Sequence, residues 1–269
     1  MTTAADGLAS KNTNKASDAC LLYAHRGSTL LAPENTLNAF EMALAFGADV
    51  LEIDVRISRD NQVMVIHDER LDRTCNANGR VCDFTLSELE RLDAAFHFTD
   101  QRGISYRNKG HSIVSLRELF ERLPETRINI DIKDNTTKAS QAVADVVKQC
   151  SREQSVTVGS FHAPVISHFR DCLPGVTTAA SQGEVAALYF LRGAYRRVNF
   201  QYLQIPLQYK GIPLATRSFI RHAQQRGLKL VYWTINDKHL MHKLINLGVD
   251  GFVTDRVDIA SVLLGSTAD

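Results

Sequence analysis

From residue 20 onward the chain alternates short apolar runs with amphipathic stretches. Runs rich in Val, Ile, Leu and Tyr predict strands over 20–25, 50–57, 63–67, 128–133, 155–160, 176–180, 202–206, 229–234 and 251–254. Between many of these, apolar residues return every three or four positions, the spacing of a helix with one buried face. Leu116, Leu119, Phe120 and Leu123 follow the capping box Ser115-x-x-Glu118. Leu37, Phe40 and Leu44 follow Asn35 and Thr36, and Gly47 marks their stop. Alternating strands and helices predict a parallel sheet with right-handed crossovers. The patterned stretch runs to about 250 residues, the usual size of an eight-stranded barrel. A doubly wound open sheet would call for a glycine-rich phosphate loop after an early strand, and the sequence has none. The expected fold class is therefore α/β, an eight-stranded (β/α) TIM barrel.

Two stretches depart from the rhythm. Residues 1–19 are small and polar, without the apolar centre of a signal peptide, and predict a disordered leader to a single barrel domain over 20–269. Residues 68–111 hold a polar segment, a short helix signalled by Thr85-x-x-Glu88, and an irregular tail. They predict an insertion of approximately 68–114, long enough to form a lid or wall over one barrel end.

Composition narrows the function classes. Hydrophobic residues make up 44% and charged residues 23%, enough to build a large core without a disulfide or metal staple. Lys and Arg number 31 against 30 acidic residues, so the net charge of +1 gives no support for nucleic-acid binding or a polybasic membrane anchor. The longest apolar run, 185–191, cannot span a bilayer. Five cysteines (Cys20, Cys75, Cys82, Cys150 and Cys172) are odd in number and lack metal-ligand spacing, which suits a reducing cytoplasm.

In a β/α barrel the chemistry lies at the carboxyl ends of the strands. The first predicted strand ends in His25-Arg26-Gly27. The second carries Glu52 and Asp54, two residues apart and so on one face. His67-Asp68 ends the next run, Asp131 and Lys133 share a face of the following one, and Trp233 and Asn236 close a later one. Each has a blander reading. Glu52, Asp54 and Arg56 alternate with Leu51, Ile53 and Val55, as a half-exposed strand would. A lone strand-end histidine is more often structural, and Trp233 alone reads as packing. The case for function rests on convergence at one barrel mouth. Three carboxylates (Glu52, Asp54, Asp131) make a hard-oxygen site for Mg²⁺ or Ca²⁺, and a metal would explain why so many anionic groups sit together unneutralised. Arg26 and Lys133 would focus positive charge on a phosphate, and His25 and His67 would supply a base and an acid. Together they suggest cleavage of a phosphodiester.

The motifs His25-Arg26-Gly27, Pro33-Glu34-Asn35-Thr36, Glu52-x-Asp54, His67-Asp68 and Arg73-Thr74 resemble the opening of the glycerophosphodiester phosphodiesterases. Further similarity follows at INIDIK, Ser160-Phe161, VYWTIN and GVDGFVTDRV, so the resemblance spans residues 20 to about 264. It implies a TIM barrel with a small insertion after the HD motif, and hydrolysis of glycerophosphodiesters to a glycerol phosphate and an alcohol. It implies Glu52 and Asp54 as metal ligands, His25 and His67 as the acid–base pair, Arg26 and Lys133 as phosphate contacts, and Phe161 and Trp233 as pocket lining. Asp131 departs from the glutamate more usual in the family. INIDIK and YLQIPLQYKGIPLAT look more like members that cleave lysophospholipids, lysophospholipase D-type enzymes, which stands as the alternative substrate. The apolar 185–191 run with Arg192, Arg196 and Arg197 offers a contact to a membrane surface, although it reads first as the fifth barrel helix packing its apolar side inward. A phosphodiester-binding barrel without turnover is disfavoured by the presence of both histidines and three carboxylates. A relative of the spider-venom phospholipase D toxins is disfavoured by the absence of a leader and of paired cysteines. The partner implied is a small-molecule substrate, and the oligomeric state is not legible.

Overall fold

The structure is a computed structural model that describes residues 20–191 and 198–265. The expected leader at 1–19 lies outside the described residues, as do Arg192, Arg196 and Arg197. In chain order the elements begin β1 (Leu21–His25), α1 (Leu37–Ala45), β2 (Val50–Ile57), β3 (Val63–Val65), α2 (Leu86–Leu89), α3 (Leu116–Arg122), β4 (Ile128–Ile132) and α4 (Thr137–Gln149). They continue with β5 (Val156–Gly159), α5 (Ala163–Cys172), β6 (Thr177–Thr178), α6 (Gln182–Leu191), β7 (Tyr202–Ile205), β8 (Gln208–Tyr209) and β9 (Ile212–Pro213). The chain then forms α7 (Arg217–Gln224), β10 (Lys229–Tyr232), α8 (Lys238–Leu247), β11 (Gly251–Thr254) and α9 (Val257–Gly265).

Eight strands pair in parallel in the order β6-β5-β4-β2-β1-β11-β10-β7. The two ends of that order meet through a parallel bridge between Ala179 and Tyr202. There the Ala180 N–H donates to Tyr202 O at 2.8 Å and the Gln201 N–H to Thr178 O at 3.0 Å, which closes the barrel.

Alternation along each strand sorts its side chains into two environments. On β2 and β4, the register pairs Leu51 with Ile128, Ile53 with Ile130 and Val55 with Ile132. These six side chains are buried in the main core beneath the helices. Full burial of each contributes roughly 1.5–3 kcal/mol. The intervening positions, Glu52 opposite Asn129 and Asp54 opposite Asp131, lie on the barrel-interior face. Inside the barrel, Tyr23, Val50, Ala179, Tyr202, Val231 and Val253 form an apolar floor. Above it the Asn129 and Gln204 amides hydrogen-bond across the barrel. Charged residues occupy the mouth.

One expectation needs correction. The strand predicted at 63–67 is shorter, since only Val63–Val65 is extended, and it stands outside the barrel, pairing antiparallel with β2 through Val55–Val65 and Ile57–Val63. The physical reason is the five-residue connection, 58–62, which can make a hairpin but not a parallel crossover. Beyond this hairpin, Met64, Ile66, Leu71, Cys75, Val81, Leu89, Ala94 and Ile113 form a separate small core.

Candidate active site

The turn after β1 sets the first part of the site. Arg26, Gly27 and Ser28 have φ of 49, 82 and 80°, a left-handed run that doubles the chain back over the barrel. Gly27 packs so tightly on α1 that a Cβ there would lie 2.6 Å from Ala39 Cβ and 2.9 Å from the Ala39 carbonyl carbon. The result aims the Arg26 N–H at Glu52 Oε2, 3.1 Å away, and brings Arg26 Nε within 2.8 Å of Asp54 Oδ2.

Both histidines line one cavity and are held from behind by carboxylates. His25 Nδ1 lies 2.6 Å from Asp255 Oδ1, and Asp255 also accepts from Thr29 Oγ1 (2.6 Å) and Asn236 Nδ2 (2.8 Å). His67 Nδ1 lies 2.6 Å from Asp68 Oδ1. Burial opposes ionisation of both carboxyls. Hydrogen bonds nevertheless hold each at about 2, from His25, Thr29 and Asn236 at Asp255, and from Arg73 and His67 at Asp68. Ionised carboxylates only accept, so in each ring Nδ1 carries the proton and Nε2 is left for the cavity. The two rings then diverge. Burial disfavours the His25 imidazolium, but Asp255 and Glu52 outweigh it and raise its pKa. At His67 burial prevails over Asp54 and Asp68, and the pKa is lowered.

The half-exposed reading of β2 does not hold: Glu52 is 8% exposed and Asp54 1%. Nor are the carboxylates left unneutralised, as the sequence suggested. Lys133 Nζ lies 2.8 Å from Asp54 Oδ1 and 2.6 Å from Asp131 Oδ2, and Arg26 holds the other oxygen of Asp54. Burial works against the Asp54 carboxylate, but Lys133 and Arg26 keep it ionised below its ordinary range. Glu52 is the exception. Among the described residues no Lys or Arg side chain pairs with it, and burial together with Asp54 pushes its carboxyl up to about 7.

These features test the fit of a divalent cation. The donors are carboxylate oxygens, the kind that Mg²⁺ and Ca²⁺ prefer. Glu52 has no Lys or Arg side chain paired with it among the described residues, and the buried Asp54 Oδ1 has Lys133 Nζ 2.8 Å away but no hydrogen-bond partner. Among the described residues, no three carboxylate, histidine or cysteine side chains are already gathered as a cage. The donor set fits a hard cation in kind, with Lys133 standing between two of its members.

The cavity measures about 380 Å³ and has two poles. His25, Arg26, Glu52, Asp54, His67, Asp131, Lys133, Phe161 and Trp233 all line it, so all nine residues named from the sequence are brought together. The Phe161 and Trp233 rings meet edge to face at 5.8 Å. The opposite wall is apolar and consists of Val185, Ala186, Tyr189 and Phe190 of α6 with Tyr209 and Ile212 of the β8–β9 hairpin. The inward-packing reading of α6 holds for Leu188, its one fully buried residue, and in part for Val185 and Tyr189, which pack against the main core while also lining the cavity. Phe190 and Leu191 remain 65% and 56% exposed. Sequence reasoning gave Asp255 no role, although it directly follows β11 and the strand-end rule applied to it as well. It singled out YLQIPLQYKGIPLAT only as a likeness to lysophospholipid-cleaving members and not as a cavity wall, because short apolar runs carry no sign of the surface they will face.

The model of the glycerophosphoryl diester phosphodiesterase family matches residues 25–259. The chain belongs to that family. It is a phosphoric diester hydrolase. A glycerophosphodiester phosphodiesterase of Caldanaerobacter subterraneus subsp. tengcongensis is 32% identical over 244 residues, covering 87% of this chain and 93% of its own. The lysophospholipase D GDPD1 of Rattus norvegicus is 30% identical over 260 residues, covering 86% and 82%. Among solved structures, an Oleispira antarctica phosphodiesterase in complex with the product sn-glycerol-3-phosphate matches at a TM-score of 0.76 and 24% identity, covering 93% of this chain and 98% of that one. That structure shares this fold.

Proposed function

We propose that the chain hydrolyses glycerophosphodiesters to a glycerol phosphate and an alcohol, with His25 and His67 as its acid–base pair. The observation that carries this reading is the pair of carboxylate-braced imidazoles at one cavity, beside Arg26 and Lys133. Arg26 and Lys133 receive the phosphoryl oxygens and offset their charge. His67, the ring with the lowered pKa, takes the proton of the attacking group at Nε2. Attack by water gives the glycerol phosphate directly, whereas attack by the adjacent glycerol hydroxyl gives a cyclic phosphodiester that water then opens with the two rings exchanging roles. As the new P–O bond forms, the P–O bond to the alcohol breaks, and His25, the ring with the raised pKa, protonates the departing oxygen. Glu52, Asp54 and Asp131 would hold a divalent cation, Mg²⁺ or Ca²⁺. When bound, that ion supplies charge neutralisation at the phosphoryl group and acidifies the nucleophile.

The apolar wall supports a second reading of the substrate. A lysophospholipid would set its phosphodiester at the charged pole and lay its acyl chain along Val185, Ala186, Tyr189 and Ile212. Phe190 and Leu191 at the rim would then meet the lipid surface.

The test is a panel of glycerophosphocholine and lysophosphatidylcholine assayed with EDTA, Mg²⁺ and Ca²⁺, both products being identified. Glycerol phosphate or its acylated form should appear, vanish in EDTA and return with one ion. His25→Ala and His67→Ala should each lower kcat by about 10²–10⁴-fold. Full turnover in EDTA with no metal detected overturns the metal role. Unchanged kcat in a histidine variant overturns that residue's role.

A further inference from the structure

Arg73 belongs to the motif shared with the family, yet the mechanism above leaves it unused. It sits on a turn of the 68–114 segment, where the Cys75 N–H donates to Leu71 O at 2.9 Å. Leu71 and Cys75 are both buried in the small core beneath, so the turn is anchored on each side. The Arg73 guanidinium reaches two carboxylates at once. Nη1 and Nη2 each donate to an oxygen of Glu34 at 2.7 Å, and Nε donates to Asp68 Oδ2 at 2.5 Å.

Neither carboxylate ends the chain of contacts. Asp68 Oδ1 holds His67 Nδ1 at 2.6 Å, and Glu34 Oε1 accepts from Arg26 Nη1 at 3.1 Å. One planar fork therefore joins the brace of a proton-transferring ring to the brace of a phosphate contact. Arg73 itself is 49% exposed, so simple ion pairing there adds little to stability. Its geometric contribution is larger, because a bidentate fork fixes direction as well as distance.

We propose that Arg73 is a positioning residue whose fork holds Glu34 and Asp68 at a set separation, and so orients Arg26 and His67 together. This rests on the roles given to Arg26 and His67 above. Without the fork, Glu34 keeps Arg26 as its remaining cationic partner and draws it away from Asp54 and the phosphoryl position. Asp68 loses its second anchor and frees the His67 ring to turn. A lysine ammonium can meet two carboxylates, as Lys133 does, but it has no planar fork to fix their directions and so would not hold them at a set separation.

The experiment compares Arg73→Gln, Arg73→Lys, Glu34→Gln and Asp68→Asn with the parent on glycerophosphocholine. Arg73→Gln should raise KM several-fold and lower kcat about tenfold, the lower end of what losing an outer partner costs. Glu34→Gln should act mainly on KM, through Arg26, and Asp68→Asn mainly on kcat, through His67. Combining Arg73→Gln with either should add little to the parameter already affected, and Arg73→Lys should recover neither. Restoration of both parameters by lysine would reduce Arg73 to a charge. Losses that follow only the folded fraction in thermal unfolding would reduce it to a structural contact. Either result overturns the proposal. Histidine ¹⁵N spectra read the clamp without turnover: His67 should hold one Nδ1–H tautomer in the parent and a mixture in Arg73→Gln. If the parent cleaves no glycerophosphodiester, the function falls while these spectra still judge the clamp, and an unchanged His67 signal in Arg73→Gln sinks it.

Discussion

At Gly27 the absence of one methyl group decides where Arg26 points. The residue combines a φ of 82° with packing so close that an added Cβ would lie 2.9 Å from the α1 backbone. Gly27→Ala therefore meets two penalties, about 1–2 kcal/mol for the left-handed conformation and about 1–3 kcal/mol for overpacking. We expect a loss of about 2–5 kcal/mol in urea unfolding, whereas Gly47→Ala, where nothing lies near the added carbon, should show only the first penalty. Asp255 gives a pH-dependent counterpart. Its folded pKa of about 2 lies below the ordinary 3.8, so the unfolded chain binds protons first as pH falls. The stabilisation is complete above the ordinary carboxylate range and is lost as pH drops through about 2, roughly 2 kcal/mol in all. Asp255→Asn should be less stable than the parent at pH 6, and the gap should narrow as pH falls from 4 toward 2. A gap that stays constant in urea titrations across that range would show that the His25 contact does not hold the carboxyl down. Residues at strand ends were legible because alternation fixes their face. The Arg73–Glu34 pair, 39 positions apart, was not, because a sequence records charges but not which of them meet.

Among elements, β2 was readable to the residue and α6 only as a helix. A strand buried on both faces between helices and a barrel interior shows a dense apolar comb, and Val50–Ile57 matches its predicted bounds. The apolar residues of α6 gave no such guidance, since a residue facing a cavity and one facing a core look alike in sequence. Thr177–Thr178 is shorter than its predicted run because the chain at 179–180 pairs only through an isolated bridge. The substrate-facing side of α6 yields a direct test. Ala186 lines the cavity and is exposed, so Ala186→Trp fills the apolar wall without entering the core. It should lower kcat/KM for lysophosphatidylcholine by about tenfold or more while leaving glycerophosphocholine within about twofold, the scale on which pockets discriminate added bulk. Equal effects on both substrates would remove the acyl chain from this wall.

Across the whole molecule, the barrel is strong where β2 meets β4 and β1, and thin where it closes. The β2–β4 register runs over five residue pairs, while the closing seam has a single bridge between Ala179 and Tyr202. Local opening follows such differences in hydrogen bonding and burial. Native-state hydrogen exchange should find the Ala180 and Gln201 amides opening at lower free energy than the Ile53 and Val55 amides, and equal protection would show that the seam is as cooperative as the rest. The sorting of side chains by strand face reaches further, into how the sequence can vary. Outward residues such as Leu51, Ile53 and Val55 answer only to packing, and their inward neighbours Glu52 and Asp54 answer to charge and chemistry. A library screened for cellular abundance would thus tolerate change at one set, and the same library screened for turnover would refuse it there. The two tolerance profiles would interleave along β2 like the teeth of two combs, offset by one residue. Drift in this lineage can therefore retune the fold and the reaction along the same eight residues while keeping the two histories separate.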